Sequence, residues 1–305
     1  MKAEFIIFFS TKGGVGKTLL SANLAVSLRK ESAGKVCLVD FDLQAPADMA
    51  RMLDLNPVKS IADISALSRE SREWKIEDFI FKHSSAVDFI PACLKAGQAH
   101  YIDSQIIRQA LSNLETKYDY VIIDAGRGFT DSFISVLEFA NLILLVVTPD
   151  ILSIYQTKWA LDVLQSFNFP LKMVKLVLNR SESLGGFPWQ DVKTNLPSEV
   201  LTRIPSEGRA VGLAVNRCIP AVMDSPKSRF SLAINKLAQD IVSRKQELFL
   251  SRVEPDKLQL KVREATAKSQ DFWQRYGLAE VMSAEQEAKV DELVELKRRV
   301  HKRLI

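Results

Sequence analysis

Short apolar runs alternate with longer mixed segments along most of the chain. Phe5–Ser10, Val36–Asp40, Val87–Ile90, Tyr120–Asp124, Leu142–Thr148 and Met173–Asn179 are brief and rich in β-branched or aromatic residues. They lack the polar alternation of a half-exposed strand, so they read as strands covered on both faces. Between them, Thr18–Lys30, Ser104–Glu115, Asp131–Ala140, Ile154–Ser166 and Asp191–Leu196 carry apolar residues at helical spacing. This alternation predicts an α/β fold with a mostly parallel, doubly wound sheet. The sequence has no internal repeat.

The pattern changes near Lys245. From Gln246 to Ile305 strand-like runs are scarce and charge is dense. Ala284–Leu304 reads as one helix, with Val290, Leu293, Val300 and Leu304 at helical spacing and Pro255 and Gly277 as earlier breaks. The expected organisation is a sheet domain over 1–245 and a helical extension over 246–305.

Composition adds exclusions more than identity. In 305 residues, 47% are hydrophobic and 26% charged, which excludes disorder throughout and a disulfide scaffold. The 41 basic and 37 acidic side chains leave a net charge of +4, too mild to demand nucleic acid or an anionic surface. Three scattered cysteines, Cys37, Cys93 and Cys218, have no metal spacing and suit a reducing cytoplasm. The longest later apolar run, Leu142–Val147, is far too short to span a bilayer.

The chemistry concentrates where strands end. Lys12-Gly13-Gly14-Val15-Gly16-Lys17-Thr18 follows the first strand and opens the first helix. Glycines there let backbone N–H groups converge on phosphates, and the helix start favours negative charge. Lys17 is placed for the β- and γ-phosphates and the Thr18 hydroxyl for Mg²⁺. Asp40 and Asp42 close the second strand, and their spacing of two predicts one shared side. Tyr120–Asp124 is an apolar strand ending in a carboxylate that fits a Walker B position, with Asp124 holding Mg²⁺ through water. Ala125-Gly126-Arg127-Gly128 follows as a switch-like loop. His83, His100 and His301 are too scattered for a metal cluster.

With its additional lysine at Lys12, the loop resembles the deviant Walker A of the MinD/ParA family of P-loop ATPases. The resemblance covers roughly residues 3–243. It implies ATP/ADP and Mg²⁺ as ligands, with Gly13, Gly14, Val15, Gly16, Lys17, Thr18 and Leu19 holding the phosphates. It implies that Lys12 reaches the nucleotide of a second copy in an ATP-bound homodimer. Lys12, Lys17 and Asp42 are then the catalytic set, with Asp42 orienting the attacking water. Thr18, Asp40, Asp42 and Asp124 form the metal set, with Asp40 behind the ion. Asn179 would read adenine, Arg180 would pack over the base, and the segment containing Pro205 would contact it through backbone groups.

Asp40-Phe41-Asp42-Leu43-Gln44-Ala45-Pro46-Ala47-Asp48 and the Arg127-Gly128 pair are similar to the CpaE/TadZ branch, associated with type IV (Tad/Flp) pilus assembly. That branch typically carries a receiver-like domain ahead of the loop, for which a loop starting at Lys12 leaves no room. Glu295–Ile305 resembles the opening helix of CpaF/TadA secretion ATPases. A fusion to such a motor, a helix that docks one, and an ordinary charged surface helix all stay open. The implied function is a dimerising switch ATPase that controls assembly or positioning of a pilus or secretion machine. The rivals are a flagellar or division-site regulator, a chromosome or plasmid partition ATPase, and a non-hydrolysing scaffold. A nucleic-acid partner is not expected. The Lys289–Ile305 stretch is basic with an aliphatic stripe but no aromatic, which leaves recruitment of a cytoplasmic protein to the inner membrane or cell pole open. Phe272–Tyr276 is expected to dock the tail on the core.

Overall fold

The computed structural model describes residues 2–70 and 73–252. The expectations for Phe272–Tyr276, Ala284–Leu304, Glu295–Ile305 and His301 lie outside the described residues. The described chain runs β1 (Glu4–Phe9), α1 (Lys17–Ser32), β2 (Val36–Asp40), α2 (Asp48–Met52), α3 (Ile61–Arg69), β3 (Phe81–Lys82), β4 (Asp88–Pro91), α4 (Ser104–Glu115), β5 (Tyr120–Asp124), α5 (Asp131–Leu137) and β6 (Leu142–Val147). It continues with α6 (Ile151–Ser166), β7 (Val174–Asn179), α7 (Trp189–Asn195), β8 (Val200–Ile204), α8 (Gly208–Asn216), α9 (Ala221–Asp224), α10 (Arg229–Ser243) and α11 (Lys245–Leu248).

The strands form one sheet in the order β3-β4-β2-β5-β1-β6-β7-β8. Every pairing is parallel except β3 with β4. The α/β expectation holds for a simple reason. Helices cover both faces, so both side-chain sets of each central strand are apolar. Phe5, Ile7 and Phe9 of β1 join one core with Ile107 and Leu111 of α4, Phe133 of α5 and Leu161 of α6. Ile6 and Phe8 face the other core, with Leu20, Leu24 and Leu28 of α1 and Ile234, Leu237 and Ile241 of α10.

Helix α1 is buried between the sheet and α10. Polar residues in it are tied down: Ser27 Oγ donates to Asn235 Oδ1 at 2.6 Å, and Asn23 Oδ1 accepts from the Val222 N–H at 3.0 Å. These bonds offset the cost of burying hydroxyl and amide groups. Packing continues past Lys245. Leu248 is fully buried in the α1–α10 core. The Leu250 carbonyl accepts from Asn141 Nδ2 at 3.0 Å, and the Arg252 guanidinium lies 4.8 Å from the Phe5 ring centroid. Arg252 also bonds Glu115 and the Ala3 carbonyl. The first residues beyond the expected domain limit therefore close the amino-terminal edge of the sheet.

Candidate functional site

The carboxyl ends of β1, β2, β5, β6, β7 and β8 open along one edge of the sheet, where open α/β sheets bind ligands. The loop after β1 leads into α1, whose first residue is Lys17. Gly14 and Gly16 take φ values of +73° and +96°, a region closed to most L-residues. A methyl group on Gly16 would lie 2.6 Å from Asn179 Nδ2. Glycine at 16 thus serves the turn and the close approach of β7.

Lys17 is buried, and burial pushes its ammonium pKa down against the opposing pull of Asp124 and Asp42. The Thr18 hydroxyl donates to Asp124 Oδ2 at 2.5 Å. Burial raises the Asp124 carboxyl to about 6, against the Thr18 hydrogen bond and the Lys17 charge, which pull it down. Asp40 and Asp124 are register partners on adjacent strands. Burial first, and then the Asp124 charge, push Asp40 well above the usual carboxylate range. These carboxylates sit where a positive charge would relieve them.

Asp42 lies just past the strand, within reach of the charges of Asp40, Asp124 and Lys17. Strand β2 ends at Asp40, so the pleat does not set the side on which Asp42 lies. A local turn does: the Asp42 N–H donates to Asp40 Oδ1 at 3.1 Å, and Asp42 Oδ1 accepts from the Gln44 N–H at 3.1 Å. Asp42 is half-buried while Asp40 is buried beneath it.

Lys12 is held within its own chain. Its ammonium contacts both Asp150 oxygens, at 2.7 and 2.8 Å. Asp150 caps α6 by accepting from the Ser153 N–H at 3.0 Å, and it accepts from the Thr148 hydroxyl at 2.6 Å. Burial pushes the Asp150 carboxyl up, but the bonds from Lys12, Thr148 and Ser153 outweigh it and hold it below the usual value. Asp150 was not among the expected site residues. The Asp150–Ser153 spacing is a helix-cap signal in the sequence, but its pairing with Lys12 spans 138 positions.

Asn179 ends β7 beside the loop, with its amide engaged at both ends. Its Nδ2 donates to the Val15 carbonyl at 2.7 Å and its Oδ1 accepts from the Arg180 N–H at 2.9 Å. Arg180 stands at φ +53° and lines a cleft with Lys12, Val15 and Leu184. Asn179 and Ile204 are register partners, which brings Pro205 beside Arg180. Leu19, in the first turn of α1, packs on the α1–α10 core.

The oxygen donors fit Mg²⁺, a hard cation usually held by one or two protein ligands together with phosphate oxygens. Thr18 and Asp124 touch, with Asp42 and Asp40 nearby in the same end of the sheet. Among the described residues no three His, Cys, Asp or Glu side chains gather closely enough to hold a metal unaided. No described helix is long and apolar enough to cross a membrane.

Fold and site together define a P-loop nucleotide-binding protein with a mostly parallel sheet. A family model described as an AAA domain matches residues 3–172. An uncharacterised ATP-binding protein of Methanocaldococcus jannaschii is 30% identical over 240 residues, covering 77% of this chain and 87% of the relative. The septum site-determining protein MinD of Thermotoga maritima is 27% identical over 245 residues, with the same two coverages of 77% and 87%. The solved structure of MinD from Pyrococcus horikoshii, complexed with Mg-ADP, superposes with a TM-score of 0.69 at 26% identity, covering 78% of this chain and 96% of that one. The chain belongs to the MinD/ParA family of P-loop ATPases.

Proposed function

We propose that this chain binds ATP and hydrolyses it slowly, and that its ATP-bound form pairs with a second copy. The observation that carries the reading is Lys17 buried at the start of α1 with Thr18 bonded to Asp124 beside it. Loop N–H groups and Lys17 would bind the phosphates. Thr18 and Asp124 would hold Mg²⁺, which when bound neutralises phosphate charge. Asp42, half-exposed above Asp40, is placed to accept a hydrogen bond from a water and orient it. Phosphoryl transfer asks little more of a protein than positioning and charge. Asn179 clamps the loop through Val15, Arg180 lines the side of the cleft we assign to the base, and Pro205 follows β8 next to that side.

Dimerisation rests on Lys12 at the rim. Leaving Asp150 would free its ammonium for the nucleotide of the other copy. Ile151, Leu152 and Leu184 stand exposed beside the cleft and supply an apolar rim for that contact. For output we propose spatial control of a large assembly. The Asp40–Asp48 and Arg127–Gly128 motifs favour a pilus or secretion machine with a CpaF/TadA-type motor as partner. A division-site role is the second reading, favoured by the MinD relative. Light scattering with and without ATP tests the switch: the parent protein should dimerise with ATP, and Lys12→Ala should bind nucleotide as a monomer. Equal dimerisation by both would overturn the role of Lys12. Absence of ATP binding by the parent would overturn the whole reading.

A further inference from the structure

The loop after β5 delivers a second cation to the phosphate loop. Arg127 lies between Gly126 and Gly128, which take φ values of +65° and +90°. Its guanidinium reaches across to the start of the phosphate loop: a methyl group on Gly13 would lie 2.6 Å from Arg127 Nη1. Its other amino group, Nη2, donates to Gln44 Oε1 at 2.5 Å. Gln44 is held in turn through its N–H by Asp42. The chain Asp42–Gln44–Arg127 therefore bridges the loops after β2 and β5 and ends over Gly13.

Two features suit this arrangement to an anion. Among the described residues Arg127 pairs with no carboxylate, and its hydrogen-bond partner is a neutral amide. It also stands close enough to Lys17 for its charge to oppose that of the ammonium. A guanidinium exchanges a neutral acceptor for a phosphate oxygen with gain, because charge-assisted and bidentate bonds are the stronger ones. The sheet order says which phosphate. β2 and β5 lie on one side of β1, while β7 and β8, carrying Asn179 and Pro205, lie on the other. Arg127 thus stands at the end of the site that holds Asp42, away from the base.

We propose that Arg127 is a catalytic residue of this chain, contacting the terminal phosphate of ATP bound in the same subunit and releasing Gln44 when it does so. This rests on the reading of the site as an ATPase. The contact would distinguish ATP from ADP, and it would neutralise charge on the phosphoryl group as it transfers to water. It would also report the terminal phosphate to the Asp42 loop, because Gln44 links the two.

The test compares parent, Arg127→Ala and Arg127→Lys by equilibrium binding of ATP and ADP and by single-turnover hydrolysis with Mg²⁺. Arg127 is exposed, so both variants should fold, which their ADP affinity checks. Arg127→Ala should bind ATP about ten-fold more weakly, leave ADP within two-fold, and hydrolyse bound ATP at least ~10-fold more slowly. Arg127→Lys should recover less than half of the lost rate, because a point charge does not replace the fork. If Arg127→Ala keeps both the parent's ATP-to-ADP preference and its rate, the proposal is overturned while the ATPase reading stands. Equal losses for ATP and ADP would also overturn it, since they would mean that Arg127 only shapes the loop. A parent protein that fails to bind ATP would remove the ATPase reading first.

Discussion

Asp42 and Asp124 lie at neighbouring strand ends yet differ in their surroundings. Asp124 is buried and bonded to Thr18, whereas Asp42 is half-exposed on a turn built over Asp40. Removal of Asp42 should therefore spare ground-state binding. We expect Asp42→Ala to bind ATP within about three-fold of the parent and to hydrolyse it roughly 100-fold more slowly, on the scale of a positioned acid–base group. Asp124→Ala should weaken Mg-ATP binding as well, because it removes the partner of Thr18. Affinity and single-turnover rate, measured on both variants, separate the two roles. Loss of ATP binding in Asp42→Ala with an unchanged rate per bound ATP would make Asp42 a binding residue.

The phosphate loop depends on its neighbours as much as on its own sequence. Gly14 has open space around a would-be side chain, whereas Gly16 faces Asn179. Both sit at positive φ, so alanine at either position carries backbone strain of about 1–2 kcal/mol. At Gly16 the methyl also displaces Asn179 from the Val15 carbonyl, and an unpaired buried amide adds about 1–3 kcal/mol. Urea denaturation without nucleotide should rank Gly16→Ala below Gly14→Ala by at least 1 kcal/mol. Equal losses would show that Asn179 does not brace the loop. Other elements carry plain signals in the sequence. Phe230, Ile234, Leu237, Ala238 and Ile241 recur at helical spacing and form the buried face of α10. Strand β3, only two residues long and at the sheet edge, has no comparable signal.

At the scale of the whole described molecule, its first and last described residues meet at the edge opposite the candidate site. Arg252 spans Ala3, Glu115 and the Phe5 and Phe139 rings, and Leu248 fills the core beneath α1 and α10. A protein ending at Arg252 retains these contacts. One ending at Lys245 should lose about 3 kcal/mol or more, because removing a buried leucine alone costs about that much. Identical stability in urea for the two truncations would show that residues 246–252 only rest on the surface. Nucleotide affinity of the longer truncation also tests the proposed division between an ATPase unit and a C-terminal extension.

The sequence by itself determined six of the eight strands, the glycine-rich loop between β1 and α1, and the carboxylates where β2 and β5 end. Each is written in adjacent positions: an apolar run, a glycine turn, an acidic residue where the run stops. Spacing along a few residues is enough, because hydrogen-bonding geometry and the burial of both sheet faces act locally. It did not determine what those side chains touch. Lys12 meets Asp150 across 138 positions, Asn179 meets Val15 across 164, and Arg127 meets Gln44 across 83. These pairings exist because the strand order brings six loop ends to one edge. The same folding fixed Asp42 on a turn past the strand and drew residues 246–252 back onto the core. Only tertiary structure could decide these points, since a contact between distant residues depends on where every intervening element packs.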